Sequence, residues 1–286
     1  MEIRREIMHS APETQPHSHE RERPHVADAP ILEVDGLSVA FGEVQAISEI
    51  SFQLEEGEQV AVIGPNGAGK STLFKAVAGV IEPSAGDVRF GGTRPAGHIC
   101  IAYIPQRSQI DWSFPVTVYD VVMMGRIGRL GWLRRPREAD RKMIRECLRV
   151  VRMEELATRQ IRELSGGEQQ RMFIARALAQ EAELMLMDEV MTACDTPSQE
   201  EIYRILDALK ARKVTVLVST HNLEEAASRF EKVMLLNREL IGFGTSTEVF
   251  IPDRLKRAYG GHLRMVNTPG GTLVLSDSCC GAGEEM

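Results

Sequence analysis

The chain has 286 residues, which is enough to bury a sizeable core in one large domain or two. Apolar residues make up 43% and charged residues 26%, as in ordinary soluble globular proteins, and no run reaches the ~18 apolar residues that a membrane span needs. The net charge of -7 argues against a dedicated nucleic-acid binder. Five cysteines, an odd number, favour reduced thiols over a disulfide framework.

The two ends of the chain differ in composition from the rest. Residues 1–29 are polar, contain several prolines and are expected to be disordered. This segment contains four histidines that could buffer a metal ion weakly, although a solvated tail is the simpler interpretation. They are His9, His17, His19 and His25. No apolar signal region is present, so the chain is expected to stay in the cytosol. Residues 267–286 are expected to form a flexible Gly/Ser tail with free thiols at Cys279 and Cys280.

The apolar patterning predicts strands and helices over most of the remaining chain. Strands are expected at 31–34, 37–41, 47–54, 59–63, 87–90 and 99–104. Helices are expected at 71–79, 116–124, 138–151 and 165–180, with a Gly- and Arg-rich loop at 125–132. Buried strands follow at 184–189 and 214–220, then edge strands at 232–237 and 239–243 and helical pieces at 245–259 that break at Pro252.

The most informative stretch is Gly64-Pro65-Asn66-Gly67-Ala68-Gly69-Lys70-Ser71-Thr72, called here the phosphate loop. It matches G-x-x-x-x-G-K-[ST] and lies between a predicted strand and a predicted helix. The glycines let backbone N–H groups converge on phosphate oxygens, and the helix start adds partial positive charge. Lys70 would reach the β- and γ-phosphates, and the Ser71 hydroxyl would bind Mg²⁺. The sequence therefore predicts a nucleoside triphosphate site.

Further polar side chains stand at the predicted ends of strands. Gln106 follows the strand at 99–104, and ligands collect at the carboxyl ends of strands in α/β sheets. Asp188 and Glu189 end an apolar strand, a placement that suits Mg²⁺ binding and water activation. His221 lies just past the strand at 214–220. Taken singly, Asp188 and Glu189 would more simply be a solvated strand end, and His221 a turn residue.

A helix start lies between Gln106 and the acidic pair. In Leu164-Ser165-Gly166-Gly167-Glu168-Gln169-Gln170, Ser165 can cap a helix and the two glycines leave backbone N–H groups exposed. The order of phosphate loop, glutamine, Leu-Ser-Gly-Gly, acidic pair and histidine resembles the ATP-binding cassette (ABC) ATPases over about 31–260. Phosphate-loop kinases and GTPases lack the Leu-Ser-Gly-Gly helix start.

The resemblance implies a fold of the α/β class. Its core would be a phosphate-loop NTPase with a RecA-like, mainly parallel sheet. An N-terminal antiparallel β subdomain and an inserted α-helical signature subdomain, at about 107–180, would complete a nucleotide-binding domain spanning 30–266.

The resemblance also implies roles for particular residues. The phosphate loop would bind ATP, and Phe41 would stack on adenine. From spacing alone, stacking and ordinary strand packing are equally probable roles for Phe41. Ser71, Gln106 and Asp188 would hold Mg²⁺, and Glu189 would be the general base. His221 and Gln106 would complete the catalytic set near the γ-phosphate. In the signature, Ser165, Gly166, Gly167 and Glu168 would close over the ATP of an opposite subunit, with Asp195 at the same interface.

Three positions depart from the family pattern. Val190 stands where proline usually follows the catalytic glutamate, which frees φ at that turn. Cys194 precedes Asp195 where a bulkier apolar residue is common, and Glu168 replaces a typical glutamine. We expect Val190 and Cys194 to affect the hydrolysis rate more than ATP binding. Cys194 could be redox-sensitive, although a small buried residue is the simpler interpretation.

Several segments resemble the manganese/zinc/iron chelate uptake branch of the family. They are 103–118, 124–126, 131–132, 159–161, 235–238 and 257–261. A lone cassette of this length is typical of importers, which implies a homodimer or paired cassette on separate integral membrane permease subunits. Trp112, Phe114 and Trp132 would lie where the permease docks, unless they serve local packing.

The resemblance further implies an indirect partnership with an extracytoplasmic metal-binding protein, a peripheral position on the cytoplasmic face of the inner membrane, and no nucleic-acid partner. The alternatives are a soluble ABC ATPase acting on nucleic acid or ribosomes, an importer for another substrate, and a phosphate-loop kinase. The first usually needs paired cassettes or a coiled-coil insertion together with a basic surface, and this chain has one cassette and a net charge of -7.

Overall fold

The N-terminal part of the protein is a three-stranded antiparallel sheet. The computed structural model describes residues 29–93, 100–130, 135–192, 194–260, 263–268 and 271–276. The sheet has the order β2-β1-β4, with β1 at Leu32–Phe41, β2 at Val44–Leu54 and β4 at Ala85–Phe90. The two strands predicted at 31–34 and 37–41 are one strand, β1. Asp35 and Gly36, predicted as a turn, form a bulge in it, because the pairing register with β2 shifts between Val34 and Leu37.

A six-stranded sheet forms the centre of the protein. Its order is β5-β6-β7-β3-β8-β9, and all neighbouring strands are parallel except β8 and β9. The strands are β3 Gln59–Ile63, β5 Ile101–Ile104, β6 Leu184–Met187, β7 Thr215–Thr220, β8 Lys232–Asn237 and β9 Glu239–Gly244. The prediction of β8 as an edge strand was wrong. It lies between β3 and β9, and its four central residues are fully buried, which explains their continuous apolar run.

Nine α-helices accompany the sheets in the described ranges. They are α1 Lys70–Val77, α2 Val118–Met124, α3 Ile127–Leu130, α4 Glu138–Val150, α5 Gly166–Ala179, α6 Thr196–Ala211, α7 Leu223–Arg229, α8 Ser246–Val249 and α9 Pro252–Tyr259. Helices α6 and α7 were not predicted, and α3 lies within the segment predicted as a loop. None of the helices in these ranges is long and apolar enough to cross a bilayer.

Two hydrophobic cores cover the faces of the central sheet. Alternation along β3 divides its side chains between them, since Val60 and Val62 belong to one core and Ala61 and Ile63 to the other. The first core also contains α1 and the antiparallel sheet. The second contains α2, α4, α5 and α6, so the predicted α-helical subdomain shares its core with the central sheet. The loops at the carboxyl ends of β3, β6 and β7 therefore extend from a sheet that is packed on both faces.

The C-terminal region differs from its predicted form. Strand β10, Leu263–Thr268, pairs with β11, Gly271–Ser276, in an antiparallel hairpin, so part of the predicted flexible tail is a strand. Both segments are rich in apolar and β-branched residues, which favour strands over the flexibility expected from the Gly and Ser content of the whole tail. The N-terminal histidines and the pair Cys279 and Cys280 lie outside the described residues.

Candidate nucleotide-binding and catalytic site

The phosphate loop joins the central strand β3 to helix α1. Lys70 is the first residue of α1, and its side chain turns back into the loop, where Nζ donates to the carbonyl oxygens of Gly64, at 2.7 Å, and Pro65, at 3.1 Å. Only 6% of Lys70 is exposed to solvent. The ammonium group is therefore held inside the curve of the loop, beside the backbone N–H groups of the helix start.

Neighbouring strands press closely on the phosphate loop. A Cβ atom on Gly64 would lie 2.0 Å from the carbonyl oxygen of Leu236 in β8. A Cβ on Gly69 would lie 2.3 Å from Cγ2 of Ile47 and 2.9 Å from the carbonyl oxygen of Ala46, and Gly69 has a φ of +93°. The two positions require glycine because of these contacts and, at Gly69, also because of its conformation.

Asp188 lies directly after β6 and is completely buried. Its Oδ1 accepts a hydrogen bond from Oγ of Ser219 at 2.8 Å, and its Oδ2 accepts one from the hydroxyl of Tyr103 at 3.2 Å. Its backbone N donates to the carbonyl oxygen of Ile104 at 2.9 Å. A buried carboxylate requires such partners, and these three fix its position at the carboxyl edge of the sheet.

Glu189 adopts an unusual backbone conformation, with a φ of +51°. Its backbone N donates to Oγ of Ser219 at 2.8 Å, and its carboxylate accepts a hydrogen bond from Nε2 of Gln106. A left-handed conformation costs a non-glycine residue about 1–2 kcal/mol, so the surrounding contacts must maintain it. Gln106 and Glu189, separated by 83 residues in the chain, are thus in direct contact as their strand-end positions suggested.

The charges of the loop and of the acidic pair act on each other. Burial lowers the pKa of Lys70, while the nearby negative charges of Glu189 and Asp188 oppose that shift. The site thus combines one cation with two carboxylates, the amide of Gln106 and the Ser71 hydroxyl at the start of α1. The carboxylate, amide and hydroxyl oxygens among these groups fit Mg²⁺, which typically takes few protein ligands and completes its shell with waters and substrate phosphates.

Phe41 ends β1 and is 57% exposed, opposite Val44, which is 63% exposed. An exposed apolar pair at a strand end is available for stacking on a flat ring. The same strand as Val44 also carries Ile47, whose methyl group lies against Gly69 of the phosphate loop.

The signature residues begin helix α5. The side chain of Ser165 accepts from the backbone N of Glu168 at 3.4 Å, and the Glu168 carboxylate accepts from the backbone N of Ser165 at 2.7 Å. Burial tends to raise the pKa of Glu168, but hydrogen bonds from Ser165 to the carboxylate and the positive charges of Arg171 and Arg159 together lower the pKa. A Cβ on Gly167 would lie 2.3 Å from Oγ of Ser198 in α6, whose N-cap is Asp195. The signature and the Asp195 turn therefore abut.

Not every predicted site residue joins this cluster. His221 is exposed just past β7, and within the described ranges no hydrogen bond or ion pair connects it to Asp188 or Glu189. Nor does a hydrogen bond in these ranges connect residues 165–168 to the phosphate loop.

Sequence reasoning missed three residues that support the cluster. Ser219 and Tyr103 both bond to Asp188, and Arg107 joins the segment after β5 to helix α5 by donating from Nε to Oε1 of Gln169 at 2.6 Å. Ser219 could have been found, because it is the penultimate residue of the strand that ends beside His221. Tyr103 has the sequence environment of a core residue.

The residues around Val190 explain two departures from the family pattern. Val190 is completely buried, so its side chain packs in the core rather than leaving the turn loose. Cys194 is half-buried, and its Sγ contacts the carbonyl oxygen of Val190 at 3.4 Å. Burial and the negative charge of Asp195 raise the pKa of the Cys194 thiol. A raised pKa reduces the thiolate population, which favours a packing role.

The aromatic residues predicted at a docking surface differ in their environments. The Trp112 ring packs edge-on against Phe173 of α5 at 5.8 Å between centroids, and its Nε1 donates to the carbonyl oxygen of Arg107 at 3.1 Å. Trp112 thus has a local packing role. Phe114 is 57% exposed, and Trp132 lies outside the described residues.

Comparisons with known proteins agree with this geometry. The profile of the ABC transporter family matches residues 47–192. The chain is 43% identical over 249 residues to the manganese transport system ATP-binding protein MntB of Halalkalibacterium halodurans, covering 86% of this chain and 99% of that protein. It is 42% identical over 246 residues to the zinc transport system ATP-binding protein TroB of Treponema pallidum, covering 86% and 92%. Among solved structures, a chain from an inward-facing ABC transporter described as of the metal-chelate type matches with a TM-score of 0.72 and 26% identity, covering 86% of this chain and 96% of that one.

Proposed function

The chain belongs to the ABC transporter ATPases, and from that premise we propose that it is the ATP-hydrolysing subunit of an importer for a divalent metal ion. The observation that carries the proposal is that Lys70 of the phosphate loop lies near enough to Asp188 and Glu189 to feel their charges, while Gln106 donates a hydrogen bond to Glu189. The metal is inferred from relatives that are named for manganese and zinc transport and cover most of this chain.

ATP would bind with its phosphates in the phosphate loop. Residues 64–72 supply backbone N–H groups, and Lys70 exchanges its carbonyl partners for β- and γ-phosphate oxygens. Because Lys70 is already buried, this exchange requires little reorganisation of the loop. Phe41 stacks on the adenine ring from the exposed end of β1.

Hydrolysis would take place between Lys70 and the acidic pair. Ser71, Gln106 and Asp188 would hold Mg²⁺, which would supply neutralisation of charge on the β- and γ-phosphates. Glu189 accepts the proton of the attacking water, and Gln106, which already bonds to the Glu189 carboxylate, holds that carboxylate in position. Phosphoryl transfer depends mainly on such positioning and charge neutralisation.

Two cassettes would complete each other's sites. Residues 165–168 of one subunit approach the γ-phosphate bound by the other, with Asp195 at the interface and His221 near the phosphate. This arrangement is supported by the close packing of Gly167 on Ser198 in the first turn of α6, which brings the exposed residues Ser165 and Asp195 to neighbouring helix starts. ATP then favours the closed dimer, and hydrolysis weakens it, which is a two-state switch that a permease can use.

The permease subunits would dock on the helical subdomain. Phe114, Met124 and Ile127 are exposed there at 57%, 38% and 52%, and apolar side chains of this kind anchor protein interfaces. Through the permease, the ATPase would be peripheral at the cytoplasmic face of the membrane and would serve an extracytoplasmic metal-binding protein indirectly. The nucleic-acid or ribosome alternative is not favoured, because the relatives reported above are transport subunits.

The test is the metal content of cells in which Lys70→Ala replaces the wild type. Cells are grown with manganese, zinc or iron limiting in turn, and total cellular metal is measured by mass spectrometry. We expect a selective fall in one metal, because removal of the Lys70 ammonium abolishes ATP-driven transport. Lys75→Ala, a lysine of the same helix outside the loop, is the matched control and should leave metal content unchanged.

Equal protein levels are confirmed by immunoblotting before metal contents are compared. Unchanged levels of all three metals in the Lys70→Ala cells would overturn the metal assignment. If purified Lys70→Ala protein retained full ATPase activity, the catalytic assignment itself would fail.

A further inference from the structure

The carboxylate of Asp188 is held between two hydroxyl groups, one from each neighbouring strand. We propose that Tyr103 is a positioning residue that orients Asp188 for the metal of the ATP complex, an inference that rests on the proposed function of Asp188. Tyr103 acts from β5 and Ser219 from β7, on either side of the strand that Asp188 follows.

The strand register explains why these two residues reach Asp188. In the pairing of β6 with β7, Met187 is opposite Val218, so Ser219 is level with Asp188 and its short side chain suffices. In the pairing with β5, Tyr103 is opposite Leu186, two residues before Asp188. Two residues along a parallel strand span about 6.6 Å and neighbouring strands lie about 4.8 Å apart, so the diagonal distance is about 8 Å, which a long aromatic side chain can bridge.

Each carboxylate oxygen receives one hydroxyl donor. Ser219 bonds to Oδ1 at 2.8 Å and Tyr103 to Oδ2 at 3.2 Å, so rotation of the carboxylate about its Cβ–Cγ bond would break one bond or both. Because Asp188 is completely buried, neither oxygen can replace a lost donor readily with bulk water. The remaining lone pairs stay available to a metal-bound water or to the metal.

Tyr103 differs from Ser219 in a way that makes its role separable. Oγ of Ser219 also accepts a hydrogen bond from the backbone N of Glu189 at 2.8 Å, so removal of the Ser219 hydroxyl would disturb the proposed base Glu189 together with Asp188. Among the described residues, the Tyr103 hydroxyl has Asp188 as its hydrogen-bond partner, and its ring packs against the core that contains α1. Tyr103→Phe therefore removes the donor and keeps the packing.

The experiment measures metal and nucleotide binding separately in the full chain. Mn²⁺, which takes the same oxygen ligands as Mg²⁺, is titrated into protein with saturating ATP and followed by electron paramagnetic resonance. We expect Tyr103→Phe to raise the dissociation constant of Mn²⁺ on the order of tenfold, as is usual for loss of a partner of a metal ligand. The affinity for ATP in excess EDTA should stay within about twofold of wild type, because the phosphate loop is untouched.

Two further variants make the outcomes distinct. Tyr259→Phe is the matched control, since its buried hydroxyl lacks a hydrogen-bond partner in the described ranges, and Mn²⁺ should bind it as it binds wild type. Asp188→Asn should weaken Mn²⁺ binding more than Tyr103→Phe does. Weakened binding in Asp188→Asn with wild-type binding in Tyr103→Phe would overturn the role of Tyr103. Wild-type binding in Asp188→Asn would instead overturn the proposed metal site, and reduced ATP affinity of Tyr103→Phe in EDTA would show a general structural effect.

Discussion

Replacing Gly167 with alanine tests whether helix propensity or packing against α6 dominates the stability of the signature helix α5. Gly167 lies in the first turn of α5, where helix propensity alone predicts that alanine stabilises by about 1 kcal/mol. A Cβ there would lie 2.3 Å from Oγ and 2.5 Å from Cβ of Ser198. The Oγ can rotate away, but the Cβ cannot, so α5 and α6 must separate by about 1 Å to restore ordinary contact.

Overpacking of this kind costs about 2 kcal/mol at the centre of its usual range, which exceeds the gain in propensity and leaves a net loss of about 1 kcal/mol. We expect Gly167→Ala to lower the Tm by a few degrees, since a change of 1 kcal/mol shifts the Tm of a domain this large by about 2–4 °C. ATPase activity should fall as well, because the clash displaces the signature from the turn that Asp195 caps. Differential scanning calorimetry and a phosphate-release assay measure the two effects.

The matched control is Gly128→Ala, at an exposed glycine of α3, which should leave Tm unchanged or raise it slightly. Adding Ser198→Gly removes both clashing atoms and leaves only Cα of residue 198, at 3.7 Å. The double variant should therefore have a higher Tm than Gly167→Ala alone, despite the modest cost of glycine in α6. A Gly167→Ala protein at least as stable as wild type, or a double variant whose loss equals the sum of the single losses, would refute the packing argument.

Three further predictions concern residues around the site. Phe41→Ala should raise the KM for ATP severalfold and Phe41→Tyr should restore it, whereas an unchanged KM in the alanine variant would exclude stacking. Cys194→Ser should leave the sensitivity of ATPase activity to hydrogen peroxide unchanged, because burial and Asp195 raise the pKa of the thiol; a protective effect would restore the redox hypothesis. Hydrogen bonds from Ser198 lower the pKa of Asp195 in the folded protein. The ionised Asp195 carboxylate therefore stabilises the fold above its unfolded pKa of about 3.9, and this stabilisation is lost as the pH falls through its lower pKa in the folded protein. The Tm deficit of Asp195→Ala should accordingly shrink below that pH, and a pH-independent deficit would contradict this.

Local sequence patterns accounted for much of the fold. The phosphate loop, the helix start at Ser165 and the helix break at Pro252 depend on residues close together in the chain, and each was predicted within a few positions. Helices α6 and α7 were not predicted, although Asp195 and Asn222 at their starts are good capping residues. From the sequence, Asp195 is assigned to the subunit interface and Asn222 is given no role.

The order of the strands could not be obtained from these patterns. Apolar runs show that β8 is buried but not that it lies between β3 and β9, because a fully buried strand has the same composition whichever neighbours it pairs with. For the same reason, the packing of Gly167 on Ser198, where two helix starts meet, could not be predicted from the sequence. Apolar periodicity indicates which face of a helix or strand is buried, but not which other element packs against that face.

The phosphate loop, the acidic pair at a strand end and the family resemblance that predicts one shared site can all be read from the amino-acid sequence. This is possible because each motif is local and their order is fixed along the chain. The way in which Asp188 is held is visible only in the folded protein, because its partners Tyr103 and Ser219 lie 85 and 31 residues away in the chain. These contacts arise from the register of parallel strands joined by long crossovers, which is set by packing of the whole sheet rather than by any segment of the sequence.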